Sequence, residues 1–478
     1  RSRLAGAVVF IASGGVLVLE VVALRLLAPY VGTDLRTYTT IIGMALAGIA
    51  LGTWVGGRLA DLGDPRRLLG PELVGGAALA ALSVPLVRLL GAGIERPDIA
   101  SLLLLALVAV FAPATVLSAV SPTVVKLVLR DLDHTGRVVG RLSALGTAGA
   151  IVGTFLSGFV LEPLFPTPAI ILGVAVVMAA LGTLLWGRGR RVLLAGLLAA
   201  AAVGATAFTL VPQPCHTETA YYCVRIEADP ANPSGRFLRL DTLTHSYVDL
   251  ADPTHLRFAY TRLFAAVIDA ATAGPIDVLH IGGGGFTMPR WVSATRPGSS
   301  NLVLEVDPQL VEIVAAQLPL LSRPELRVRV GDARIGIREV PERSADVVVG
   351  DAFGNLSVPW HLTTREFVSQ VAGVLRPGGV YVLNVIDYQD LGFARAEAAT
   401  LQRVFPYVAV ASTPERLRRG GNLVLVGGFG PLDAVAVIQN AAAQGLQVEV
   451  LTEGELDTWI GDAPVLTDDH APVDQLIG

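Results

Sequence analysis

Five short apolar runs between residues 277 and 387 each end in glycine or an acid, and those ends are where the chemistry of this chain gathers. They read DVLHIGG, NLVLEVD, LRVRVGDA, ADVVVGDA and VYVLNVID. The first opens into a glycine run in which Gly282, Gly283 and Gly284 are the expected ligand contacts, because a backbone without Cβ atoms lets a ligand come close. Taken alone, the run also suits an ordinary strand-to-helix turn. The second ends in Glu305 and Asp307, where an acid accepts two hydrogen bonds from ribose hydroxyls. At the third, Asp332 is placed to receive an adenine amine and Ala333 leaves room for the ring, while the same carboxylate suits a helix N-cap. Asp351 ends the fourth, facing the reactive end of a ligand, where it attracts a cation or accepts a proton. Capping or loop bonding is its competing use. Tyr260, in RFAYTRLF ahead of the first run, either covers the ligand or fills the core.

Short apolar runs alternating with helical segments read as buried parallel strands, so a doubly wound, Rossmann-like α/β domain is expected over residues 263–478. Ligands in such sheets bind at the carboxyl ends of the strands. Ahead of it, residues 212–262 carry a PQPCH linker and three β-rich pieces, at 220–228, 236–241 and 245–250, which predict a small antiparallel sheet. There is no GxSxG, Walker A or zinc-spaced pattern, and His216 beside Cys215 has no further ligand pair, so no metal is expected.

Residues 1–211 are of another kind. The chain is 52% hydrophobic with a mean hydropathy of +0.59, too apolar for one soluble protein. Seven runs approach the length that crosses a bilayer: about 4–28, 38–60, 70–92, 99–120, 140–162, 167–186 and 190–211. Their glycines and alanines predict a closely packed multi-pass bundle in a lipid bilayer. Twelve loop Lys/Arg on the amino-end side, against four on the other (Arg25, Arg36, Arg88 and Arg96), put the amino end in the cytoplasm. Seven spans then carry the α/β domain outside. Cys215 and Cys223 are either a disulfide suited to that placement or two buried thiols. Glu20, inside the first run, is a candidate cation or substrate contact, or else pairs with Arg25 or another helix. Past residue 210 there are 20 Lys/Arg against 31 Asp/Glu, which argues against nucleic acid and for a cationic small molecule or partner. Simple solubility is the competing explanation of that charge.

Several segments together look familiar. LHIGGGG, LEVDP, GDAR, Asp351, LRPGG and LTDDHAPVDQL resemble the spermidine synthase family, and LRLLAPYVG, GTWVGGRLAD and GRLSALGTAGAIVGTFLSGFVLEPL resemble its membrane-fused bacterial relatives. The resemblance implies a seven-stranded methyltransferase-type sheet and a small β-domain, a role in polyamine biosynthesis, residence in the bacterial cytoplasmic membrane and a homodimer. It implies decarboxylated S-adenosylmethionine as co-substrate and a small amine acceptor, with Glu305 on ribose, Asp332 on adenine and Asp351 assisting amine deprotonation. Against the family pattern, Gly285 and Gly354 stand where acids that hold ammonium groups should be, His245 replaces a glutamine and Arg262 a glutamate, and Arg262 is expected to repel an ammonium. Transfer from S-adenosylmethionine itself by a methyltransferase, and a non-catalytic transporter or sensor, are the alternatives.

Overall fold

The computed structural model describes residues 2–94, 98–129, 135–186, 213–318, 325–353 and 358–477. The expected run 190–211, Gly354 and the loop residues Arg1, Arg96, Arg130, Arg188, Arg190 and Arg191 lie outside them. Two compact units result, Arg1–Cys223 and Val224–Gly478.

Among the described residues the first unit has six helices long and apolar enough to cross a membrane: Arg3–Val31, Leu35–Leu62, Pro65–Gly91, Ile99–Val128, Thr135–Leu164 and Thr167–Leu185. The second, third and fourth begin where Asp34, Asp64 and Asp98 accept the backbone N–H of Thr37, Arg66 and Ser101. The caps set the helix starts a few residues ahead of two of the apolar runs, since hydropathy reads the apolar stretch and not the capped turn before it. Glycine lets the backbones touch. A Cβ at Gly149 would lie 2.1 Å from the Phe10 carbonyl oxygen, and one at Gly52 2.0 Å from that of Thr115. Arg25 lies inside the first helix, not in a loop, and pairs with Glu162 and Glu218. Glu20 is not its partner, because five residues of helix turn the two side chains well apart. Cys215 and Cys223 form a disulfide, and Thr217–Glu218 is a two-residue strand, β1.

In the second unit β2 (Cys223–Asp229), β3 (Asn232–Leu240) and β4 (Leu243–Asp249) form the antiparallel meander expected there. The main sheet has eight strands: β5 (Asp277–Ile281), β6 (Ser300–Glu305), β7 (Leu326–Val330), β8 (Ala345–Gly350), β9 (Leu375–Tyr388), β10 (Tyr407–Ser412), β11 (Gly420–Gly428) and β12 (Glu449–Thr452). Their spatial order is β12-β10-β11-β9-β8-β5-β6-β7. Strands β5 to β9 pair in parallel, and β11, β10 and β12 are joined by antiparallel pairings, so β10 runs with β5–β9 while β11 and β12 are reversed. Seven strands follow the expected arrangement, and β12 adds an eighth at the edge. Alternation along the strands sends Leu279, Val348 and Leu383 into one apolar layer and Val278, Val347 and Val382 into the other. Both faces are buried, which is why these strands read as continuous apolar runs.

Candidate functional site

Strand β5 is followed by its neighbours on one side and β8 by its neighbour on the other, so the order reverses between them and a crevice opens at their carboxyl ends. The two ends are locked together. Asp351 donates its N–H to the Ile281 carbonyl at 2.9 Å, and a Cβ at Gly282 would stand 2.5 Å from the Asp351 carbonyl oxygen. With φ of 92° as well, position 282 requires glycine.

On one side of the crevice lie the residues expected to hold a nucleoside. Glu305 accepts the N–H groups of Gly283 and Gly284 on one carboxylate oxygen, at 2.8 and 3.3 Å, and that of Asp307 on the other, at 3.0 Å. Burial pushes its carboxyl up and these three donors pull it down. Asp307 also has a local task. Fully buried, it caps the helix Pro308–Gln317 through the N–H groups of Gln309 and Leu310. Asp332 caps the turn at Ala333–Gly336, and its other oxygen lies 2.9 Å from Nε2 of His361. Nothing in the pattern around His361 announced it.

On the other side the sheet delivers a carboxylate held from two directions. The Tyr260 hydroxyl donates to Asp351 Oδ2 at 3.1 Å, and Asn384 on β9 donates to Oδ1 at 2.9 Å. Asn384 accepts in turn from Asn422 on β11, at 3.1 Å. Burial pushes the Asp351 carboxyl up to about 6, against the two hydrogen bonds. Burial, reinforced by Asp351, pushes the Tyr260 phenol well above its usual range, so it stays a donor. Beyond them lies a cavity of about 250 Å³ whose lining includes Asp351, Tyr260, His245, Phe353, Asn384 and Asn422. Burial pushes the His245 imidazole down to about 4, so it is neutral there.

Two of the family departures acquire a physical form. A Cβ at Gly285 would stand 2.8 Å from that of Ser246, whose hydroxyl accepts the Gly285 N–H at 3.0 Å, so β4 fills the space a side chain would need. Arg262, expected to repel an ammonium, does not face the cavity. It sits two residues after Tyr260 on the helix Ala259–Ala271, on the opposite face, and donates to the Gln444 carbonyl at 2.9 Å. Asn384 and Asn422 went unread as site residues, though an asparagine inside VYVLNVID is a polar break that could have flagged the first.

The relatives bear on the same half of the chain. A polyamine aminopropyltransferase from Vibrio vulnificus is 28% identical over 245 residues, covering 49% of this chain and 80% of that protein. The crystal structure of a probable spermidine synthase from Corynebacterium glutamicum superposes with a TM-score of 0.50 at 29% identity, covering 54% of this chain and 97% of that one. The carboxyl-terminal half is homologous to the spermidine synthases. This spermidine synthase-like half also resembles a Bos taurus eEF1A lysine and N-terminal methyltransferase, 27% identical over 146 residues that make up 21% of that protein. No family model matches the chain.

Proposed function

We propose that the spermidine synthase-like half transfers an aminopropyl group from decarboxylated S-adenosylmethionine to an amine, tethered to a membrane by the helical bundle. The observation that carries this reading is Asp351, a carboxylate at the sheet switch point, held by Tyr260 and Asn384 at the floor of a cavity. As the amine nitrogen bonds to the aminopropyl carbon, the carbon–sulfur bond breaks, its electron pair stays on sulfur and methylthioadenosine leaves. The proton lost by nitrogen passes to Asp351, which is ionised above about pH 6. Tyr260 and Asn384 keep the base oriented, and alignment of neutral amine and sulfonium supplies the rest of the acceleration. Glu305 and the loop Gly282–Gly284 would take the ribose and Asp332 with Ala333 the adenine.

The test is release of methylthioadenosine by the purified full-length protein given decarboxylated S-adenosylmethionine and a panel of amines. Release abolished in Asp351→Asn supports the reading. Methylation of an acceptor from S-adenosylmethionine, with no methylthioadenosine formed from the decarboxylated donor, replaces it with the methyltransferase reading. Failure of either donor or methylthioadenosine to bind at millimolar concentration would leave a non-catalytic unit.

A further inference from the structure

The cavity beyond Asp351 has a second charged pole, and its sign is opposite to the one a diamine needs. Asn384, Ile386 and Tyr388 alternate along β9 onto its wall, Asn422 follows on β11, and Arg416 closes the lining. Among the described residues Asp351 is the one carboxylate in that lining and Arg416 the one guanidinium. The imidazole of His245 adds no charge.

Arg416 is seated. Its stem lies against Gly421, where a Cβ would come within 3.3 Å of Cγ, Cδ and Nε, and a φ of 117° restricts that position to glycine. Among the described residues no carboxylate pairs with its guanidinium. Its neighbouring acids are engaged elsewhere: the adjacent Glu415 pairs with Arg419 at 3.8 Å, and Asp387, which pairs with Gly421 across β9 and β11, is buried on the opposite face of β9, accepting the N–H groups of Tyr388 and Ala394. A half-buried guanidinium facing a cavity is a ready partner for a carboxylate, which it meets through two parallel hydrogen bonds.

Resting on the aminopropyl-transfer reading, we infer that the acceptor is an ω-amino acid, its amine at Asp351 and its carboxylate at Arg416. The glycine loop and Glu305 do not line this cavity, which lies on the β9 and β11 side of Asp351, so the carboxylate belongs to the acceptor and not to the donor. Asp351 follows β8 and the Arg416 stem lies against Gly421 on β11, two strands away, so a methylene chain must link the two groups. The C–N bond forms at the ω-amine, methylthioadenosine departs with the electron pair of the broken C–S bond, and Asp351 takes the proton. The carboxylate of the acceptor is unchanged.

Calorimetry on the full-length protein saturated with methylthioadenosine tests this, with γ-aminobutyrate, δ-aminovalerate, ε-aminocaproate, putrescine and n-butylamine as probes. At least one of the amino acids is expected to bind about tenfold or more tighter than putrescine. Arg416→Gln is expected to bring that ratio to roughly one and Arg416→Lys to keep part of it, with methylthioadenosine affinity retained in both as the check on folding. Putrescine binding as tightly as every amino acid overturns the inference while leaving aminopropyl transfer standing. If Arg416→Gln instead weakens S-adenosylmethionine and spares the amino acids, the guanidinium serves the donor and the inference fails. Tight, Arg416-dependent amino acid binding with no turnover of the decarboxylated donor would uphold the carboxylate subsite and refute the transfer reaction, so the two failures stay distinct.

Discussion

Asn384 donates to Asp351 at 2.9 Å and accepts from Asn422 at 3.1 Å, so the carboxylate on β8 is braced through a polar chain that crosses β9 to β11. That chain fixes where the carboxylate points and helps set its acidity.

On the aminopropyl-transfer reading, activity is expected to rise with pH through about 6 and level off above it, because Asp351 would have to be ionised to accept a proton. In a profile of kcat/KM against pH, Asp351→Asn should lose roughly a hundred- to ten-thousand-fold of the rate, together with that acidic limb.

Stability should respond in the opposite sense. The folded carboxyl titrates near 6 and the unfolded one near its ordinary 3.8, so the folded state holds the extra proton between those values and Asp351 costs stability increasingly as pH rises through them. Melting curves should therefore show Asp351→Asn gaining on the parent protein between pH 4 and pH 6, with the difference constant above about pH 7.

Removing the brace moves the Asp351 titration. The Asn384 hydrogen bond holds the Asp351 carboxyl down, so Asn384→Leu should carry the acidic limb to higher pH and lower the melting temperature. A limb that stays in place in this variant would show the chain to be structural only.

Restoring the acid that the family places at 285 requires room. Gly285→Asp alone should cost about 1–3 kcal/mol by overpacking against Ser246, and Ser246→Gly in the same chain should recover much of it. Denaturant titration of the single and double variants measures the coupling.

In the bundle, Gly149→Val would drive a side chain into the Phe10 carbonyl and force the first and fifth helices apart. Thermal unfolding in detergent should fall by many degrees, while Gly173→Ala, at a glycine with open space around it, should change little.

Much of this protein was legible before any coordinates. Alternating apolar runs specify a doubly wound sheet because both faces must be buried, and twenty-residue apolar stretches specify long helices of a length that could cross a bilayer. The place of Gly282, Glu305 and Asp351 at neighbouring strand ends was legible because chain direction alone brings those ends to one edge of the sheet. Helix starts were displaced where aspartate caps, invisible to hydropathy, set them.

What the sequence could not show was the direction and company of individual side chains. Arg262 looked like a repelling charge and points away, since two residues of helix reverse a face. Asp307 read as a ribose contact, and its Oδ1 also caps a helix. Gly285 looked like a lost acid, yet the space it leaves is taken by Ser246, 39 residues earlier. Arg416 carried no signal in a run of arginines until β9 and β11 brought it to the cavity of Asp351. Local pattern determined the elements and their ends, because periodicity and chain direction are local properties; pairing across the sheet decided the chemistry, because the partners of each charge come from distant parts of the chain.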